Sequence, residues 1–274
     1  MNRIAIAIPG VLAALLCAPL KAQWLNYPTP GLPRTANGKM NAAAPVPRTA
    51  DGKPDFSGLW EAPQRSVRPE ANPELTIGAD IALGGSGDLG RFVKGGLPYS
   101  PWGADVLKER QLNKDKDDPD GYCQALGLVR MLKIEGPRKI VQVPGLLVIL
   151  FERDNTFRQI FLDGRPRPVD PQPAYNGYST AKWEGDTLVV QSTGFRDGMW
   201  LDNIGSPFTA AAKVTERFRR PRYGDLQIEV TVDDPKAYTK PWTYTVNQVI
   251  AADTEIMEFF CTENNRDPQH LVGK

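Results

Sequence analysis

Histidine is nearly absent from this sequence, and its scarcity excludes several kinds of catalytic site. The 274-residue chain has one histidine, His270. A zinc site of the HExxH type needs two histidines on one helix, and a facial-triad iron site also needs two. A serine–histidine pair would have to use His270, four residues from the last residue given. We therefore predict no cofactor and no histidine-based metal site.

An excess of charge of one sign is also missing. The chain has 33 Lys and Arg against 32 Asp and Glu, a net charge of +1. Nucleic-acid binding requires a basic stripe, so we predict no nucleic-acid partner. Beyond the first 22 residues no apolar run approaches the roughly 20 residues of a membrane span. We therefore expect no membrane span in the mature chain, and the oligomeric state stays open.

Residues 1–22 have the pattern of a secretory signal peptide. Arg3 is followed by an uncharged apolar run, and Ala22 offers a small residue at a cleavage point. The pattern predicts a periplasmic or secreted protein, with an uncleaved anchor as the alternative.

The two cysteines that remain after the leader are Cys123 and Cys261. In an oxidising compartment an isolated pair indicates one disulfide. Two buried free thiols are the alternative.

Residues 23–137 are rich in residues that interrupt regular structure. They contain 13 Pro and 15 Gly, and they include a short repeat, PRTANGK at 33–39 and PRTADGK at 47–53. We expect an irregular arm with two similar turns and one short helix near 101–111. Ser100 caps that helix, and Trp102, Val106 and Leu107 share a face.

From residue 138 to 274 the apolar pattern has a period of two, which is typical of half-buried strands. Nine strands are predicted, at 139–143, 146–152, 156–162, 178–183, 187–192, 214–219, 226–232, 242–250 and 255–261. Such a series closes into a barrel or stacks as a sandwich, and an open sheet would leave long edges exposed. We predict a mainly β protein with an antiparallel up-and-down barrel, to which residues 55–60 add a strand or latch.

Two acidic residues stand at apolar positions of the predicted strands. Glu216 shares a face with Val214 and Phe218, and Glu258 lies between Ile256 and Phe260. If these faces point inward, the carboxylates are either paired or neutral, and paired carboxylates support general acid–base chemistry. Glu216 and Glu258 are therefore the catalytic candidates. The alternative is a structural pair with an arginine such as Arg158, or an outward position for Glu258.

A group of aromatic and charged residues in the central stretch suits a sugar or a flat organic ligand. The ligand-binding candidates are Tyr178, Trp183, Phe195, Trp200, Asp202 and Arg217. Packing in the core is the alternative for most of the aromatic residues.

Two further motifs are weak. Residues 177–181, GYSTA, partly match the GxSxG nucleophile motif but lead into a hairpin, so Ser179 is expected to be a strand residue. Residues 115–120 are acidic and turn-rich, yet they lack the ligand order of an EF-hand. Calcium binding there stays open.

Several segments taken together carry a family resemblance. They are PRTADGKPDFSGLW at 47–60, WEGDTLVV at 183–190, VTERFRR at 214–220 and DDPKAYTKPW at 233–242. The chain resembles a family of exported, uncharacterised proteins of soil bacteria, from which no activity carries over. The Gly58-x-Trp60 motif also resembles the lipocalin signature, which implies a lipocalin-like barrel.

Three functions are consistent with these patterns. The first hypothesis is an exported barrel that binds a small, largely apolar or aromatic ligand. The second is a hydrolase or lyase that acts on a glycoside or aromatic compound through barrel carboxylates. The third is an envelope interaction protein whose barrel is filled. The state of the barrel interior distinguishes them.

Overall fold

The structure is a computed structural model that describes residues 27–63, 87–114, 116–133 and 136–263. Its centre is a closed barrel of nine strands, and two further short strands pair beside it. The strands are β1 (Gly58–Glu61), β2 (Arg138–Val143), β3 (Leu146–Phe151), β4 (Thr156–Phe161), β5 (Tyr178–Glu184), β6 (Thr187–Thr193), β7 (Met199–Trp200), β8 (Pro207–Phe208), β9 (Lys213–Arg222), β10 (Asp225–Asp233) and β11 (Trp242–Ile250).

The predicted closed β-barrel is confirmed. Around the barrel the order is β1, β11, β10, β9, β6, β5, β4, β3, β2 and back to β1. Neighbouring strands are antiparallel except β4 and β5, which pair in parallel through Ile160 and Phe161. A parallel pair needs a long connection, and residues 162–177 supply it. The barrel strands still follow chain order, but the strand direction does not alternate between β4 and β5 as it would in a simple up-and-down barrel.

The alternation along β10 shows how the barrel is filled. Leu226, Ile228, Val230 and Val232 point inward and are buried, while the residues between them are partly exposed. β9 and β11 alternate in the same way. Period-two burial on these strands is the arrangement that the sequence pattern predicts.

β1 closes the barrel from the N-terminal arm. It pairs with β2 on one side and with β11 on the other, where Trp60 lies opposite Ile250. Gly58 begins the strand with φ of 148°, and a Cβ there would lie 3.1 Å from the Ile250 side chain. A glycine is required because both the backbone conformation and the close contact exclude a larger residue.

The predicted strand at 255–261 is wrong. Residues 251–260 form no strand, because β1 already occupies the edge of β11. The segment is held by side chains instead: Glu152 accepts from the Met257 amide at 2.8 Å, and Asn155 makes two bonds with the Phe259 backbone. An apolar strand pattern forms a strand only where a partner edge is available.

The helix expected near 101–111 is confirmed as α1 (Pro101–Leu112), capped by Ser100, whose hydroxyl accepts from the Gly103 amide at 3.0 Å. A Cβ at Gly103 would lie 2.2 Å from the Ala237 carbonyl oxygen, so glycine permits close packing on the loop after β10. Trp102 is 40% exposed, so the predicted apolar face is not buried. A second helix that the sequence did not indicate, α2 (Leu128–Lys133), is fully buried.

The repeated heptapeptide forms two equivalent turns that dock on the barrel. In each copy the arginine donates to the carbonyl oxygen of the glycine in its own turn, Arg34 to Gly38 and Arg48 to Gly52. The same guanidinium groups also reach an acid elsewhere: Arg34 binds Asp253, and Arg48 binds Asp186 through both carboxylate oxygens at 2.7 and 2.9 Å. The two copies therefore attach the arm to two separate loops.

The predicted disulfide between Cys123 and Cys261 is present. It joins the N-terminal arm to the segment after β11, across a sequence separation of 138 residues. The residues that the structure describes include no helix long and apolar enough to cross a membrane. The predicted signal peptide, His270 and Asp115 lie outside the described residues.

Replacing both cysteines with serine should lower the free energy of unfolding by about 4–5 kcal/mol, because the unfolded chain regains the freedom of a 138-residue loop. Urea unfolding of the oxidised protein and of the double variant measures the difference. Reduced wild type is the matched control and should unfold with the variant. Equal midpoints for oxidised and reduced wild type would contradict the prediction.

Arg48→Ala should return the pKa of Asp186 toward its ordinary value of 3.8, because hydrogen bonding to Arg48 holds that pKa below it. A lowered carboxyl pKa stabilises the folded protein at pH values above the ordinary pKa of the group. This contribution is lost as the pH falls through the folded-state pKa. An NMR titration of the Asp186 carboxyl measures the change. Arg34→Ala is the control, and it should move the pKa of Asp253 but leave Asp186 unchanged.

Candidate functional site

The interior of the barrel contains a buried polar cluster at the position of the first catalytic candidate. Glu216, on β9, is 0% exposed and binds Arg158 of β4 through both carboxylate oxygens, with one N–O distance of 2.9 Å. Arg158 also donates to Ser179 on β5 and Ser192 on β6, and the two hydroxyls are 2.9 Å apart. Four strands thus contribute to one hydrogen-bonded network.

This network satisfies its own charges. A buried carboxylate needs a paired and hydrogen-bonded cation, and Arg158 supplies both through a planar two-pronged contact. Ser179 is a strand residue as expected, and its hydroxyl lies between Arg158 and Ser192. The arrangement corresponds to the structural alternative for Glu216, and a catalytic role for this residue stays a prediction without support from its surroundings.

Much of the interior around this network is occupied by apolar side chains. Leu147, Ile160, Val190, Phe218 and Val230 are each 0% exposed. A cavity able to hold a ligand would leave accessible surface on the residues that line it. These five inward residues have no accessible surface, so the part of the barrel interior that they occupy is packed as a core.

Glu258 is not a partner of Glu216. It lies in the irregular segment after β11 and is exposed, whereas Glu216 is buried inside the barrel. The expected acid pair therefore does not form.

The six ligand-binding candidates are distributed over the molecule and do not form one site. Tyr178 and Trp183 lie on β5, where Tyr178 packs on Phe161 and Trp183 stacks on Phe56. Phe195 is buried against Phe208. Packing is the role that the structure gives these three aromatic residues.

The charged candidates have structural partners as well. Arg217 pairs with Glu184 at 3.0 Å on the outside of the barrel. Asp202 is 0% exposed and accepts from the Leu89 amide and from the Ser206 amide and hydroxyl. Since the Ser206 hydroxyl donates to Asp202, it accepts from the Tyr99 phenol at 2.8 Å. Burial raises the pKa of Tyr99 to about 12, so this donor stays protonated at neutral pH.

In the part of the chain that the structure describes, the candidate Trp200 borders an open space. A surface cleft of about 390 Å³, here the Trp200 cleft, lies between α1 and the loop around β7. Its lining residues are Trp102, Val106, Glu109, Arg110, Asn113, Asp117, Asp197, Gly198 and Trp200. The cleft has aromatic rings beside carboxylate and amide groups. Aromatic residues together with charged residues are the combination predicted from the sequence to suit sugars and flat organic ligands.

Arg110 holds one wall of the Trp200 cleft in place. Its guanidinium lies 4.7 Å from the centre of the Trp200 ring and donates to the carbonyl oxygens of Gly205 and Gly198. Burial lowers the pKa of Arg110, yet an arginine stays charged in proteins. The loop around β7 is thereby fixed to α1.

A smaller cleft of about 200 Å³ also borders Trp200. It shares Asp197, Gly198 and Trp200 with the Trp200 cleft and adds Tyr175 and Arg196. The Arg196 guanidinium lies 4.8 Å from the centre of the Tyr175 ring. The two spaces therefore meet along the segment 197–200.

Sequence reasoning missed the contribution of α1 to this site. Trp102, Val106, Glu109, Arg110 and Asn113 follow the spacing i, i+4, i+7, i+8 and i+11, so they share one helical face. That face mixes aromatic and charged residues, which is the signal that was available. The sequence analysis instead placed Trp102 and Val106 on an apolar face with Leu107, so it did not connect this face with the cleft.

Arginine side chains pair with acidic residues of the turn near the disulfide. Asp118 accepts from Arg130 at 2.5 and 2.8 Å, and Asp120 pairs with Arg153. Across the described ranges no group of three or more His, Cys, Asp or Glu is arranged to hold a metal ion. The turn around 117–120 is therefore organised by ion pairs.

No protein-family model matches the chain, and no curated protein matches it.

Glu216→Gln should lower the free energy of unfolding by roughly 3–5 kcal/mol, because it leaves Arg158 as a buried charge without its counter-ion. Glu258→Gln is the matched control: the same chemical change at an exposed position should stay within about 0.5 kcal/mol of wild type. Denaturant unfolding measures both variants. Equal effects would show that the Glu216–Arg158 pair is not a buried structural interaction.

Proposed function

We propose that the protein is an exported envelope interaction protein that binds a sugar or a small organic ligand at its outer surface, in the Trp200 cleft. The observation that carries this proposal is the contrast between a filled barrel and an open cleft. The inward residues are buried, whereas the cleft has about 390 Å³ of space. Ligand sites commonly occupy about 300–1,000 Å³.

The chemistry of the cleft supports a ligand with hydroxyl groups and an apolar face. Trp102 is 40% exposed and offers ring surface, while Asp197 has a side chain that is 63% exposed and offers an acceptor. Asn113 adds an amide at the C-terminal end of α1. A sugar ring has an apolar face and hydroxyl edges, and it can use both kinds of group.

Export is supported by two independent features. Residues 1–22 have the composition of a signal peptide, and Cys123 is bonded to Cys261. Disulfides persist in oxidising compartments such as the periplasm and the extracellular space. The proposed location is therefore the periplasm or the outside of the cell.

Trp102→Ala should weaken ligand binding about tenfold or more, as expected for an aromatic residue at the centre of a contact. Isothermal titration calorimetry with a panel of neutral sugars and aromatic glycosides measures the binding. Leu112→Ala is the matched control, because Leu112 is an exposed apolar residue of α1 that does not line the cleft. It should bind as wild type does.

Native mass spectrometry of the protein purified from the periplasm separates this proposal from a carrier. We expect the native mass to equal the denatured mass, because a filled barrel retains no ligand. A native excess mass that survives Trp102→Ala, is lost on denaturation and belongs to a largely apolar ligand would indicate a site inside the barrel and overturn the proposal. Failure of the whole panel to bind would also count against it.

A further inference from the structure

A further open space lies on the outer face of the barrel, and no residue of α1 lines it. It is a groove of about 560 Å³ on β6, β9 and β10, here the barrel groove. Its floor is a row of residues directly opposite one another on the three strands, Gln191, Thr215 and Thr231. One amide and two hydroxyl groups therefore stand side by side at the surface.

Charged groups stand at the edges of this floor. Lys213 and Asp233 are directly opposite each other on β9 and β10, and Arg167 reaches the groove from the connection between β4 and β5. Within the described part of the chain, none of the three makes an ion pair or a side-chain hydrogen bond. The groove thus offers two cations and one carboxylate that other protein groups have not neutralised.

These groups are unlike those of the Trp200 cleft. The groove lining contains no aromatic side chain, and its polar groups include both hydrogen-bond donors and acceptors. A flat aromatic ligand would find no ring to stack on. A ligand that bears several hydroxyl groups and one negative charge would find a partner for each.

We propose that the barrel groove binds a uronic acid, a sugar that carries one carboxylate. The ligand carboxylate accepts from Arg167 and Lys213, since a guanidinium offers a two-pronged contact and an ammonium adds a point charge. The ligand hydroxyls donate to Asp233 and exchange hydrogen bonds with Gln191 and Thr215. Thr231 is already bonded to the Thr243 hydroxyl at 2.8 Å, which holds its side chain in place.

The charge balance of the groove selects for one negative charge. A neutral sugar makes no hydrogen bond from a carboxylate to Arg167 or Lys213, so it binds less tightly. A phosphate carries more negative charge and would meet repulsion from Asp233. The groove is open to solvent, so its affinity depends on ionic strength.

This site is independent of the proposed function. It shares no lining residue with the Trp200 cleft. Loss of binding at one site therefore leaves the other testable in the same preparation.

The test is calorimetry on the mature protein, with the disulfide between Cys123 and Cys261 intact. The probes are oligogalacturonate, free galacturonate and a neutral galactose oligomer of the same length. The titrations use the Trp102→Ala protein, so that binding of neutral sugars in the Trp200 cleft does not contribute. We expect saturable binding of oligogalacturonate that weakens as salt is added, and no comparable binding of the neutral oligomer. Tighter binding of the oligomer than of the free acid indicates a polysaccharide source, and equal binding per sugar indicates the free acid. Both results support the uronate site.

Variants locate the site. Arg167→Ala and Lys213→Ala should each weaken binding about tenfold, because each removes a charged hydrogen-bond donor. Arg167→Lys should retain part of the affinity. Lys39→Ala removes an exposed charge from the first repeat, which does not line the groove, so this control should bind as its parent protein does. The proposal is overturned if the neutral oligomer binds equally well, if no probe saturates, or if the groove variants match wild type while keeping its unfolding midpoint.

Discussion

Closure of the nine-stranded sheet is the constraint on which the rest of this structure depends. β1 contributes four residues, Gly58–Glu61, yet it supplies the pairing partner for both β2 and β11. Without it two strand edges would stay open, and an open edge is a template for unwanted association. The repeat turn at 47–53 precedes β1 and is tied by Arg48 to Asp186. Residues 47–61 of the proline- and glycine-rich arm are therefore part of the barrel rather than an appendage.

A filled interior decides where function has to be sought. Arg158 and Glu216 neutralise each other inside the barrel, and apolar side chains occupy the space around them. The inward face therefore serves stability. Open polar groups occur on the outer surface, where loops and helix α1 meet the barrel or where strand side chains point to solvent. The predicted closed barrel is present, and its described inward residues are buried.

Local rules predicted the elements that depend on neighbours in the chain. Ser100 followed by Pro101 begins a helix because a side-chain oxygen satisfies the first free amides. The alternation in β10 predicts a strand with one buried face. The same reasoning failed at 255–261, because a strand needs an edge and the edge of β11 belongs to β1. For Tyr178, Trp183 and Phe195 it left ligand binding and core packing open, because their packing partners lie on other elements.

The sequence by itself determined the strand periodicity, the helix start, the cysteine pair and the near-absence of histidine. Each follows from residue type and spacing along the chain. The tertiary structure alone decided that β1 closes the barrel, that Glu216 faces Arg158, that Glu258 is exposed, and that the open clefts lie outside. These outcomes depend on which strand pairs with which edge and which face turns inward. Pairing across long sequence separations is set by global closure and packing, which no local pattern encodes.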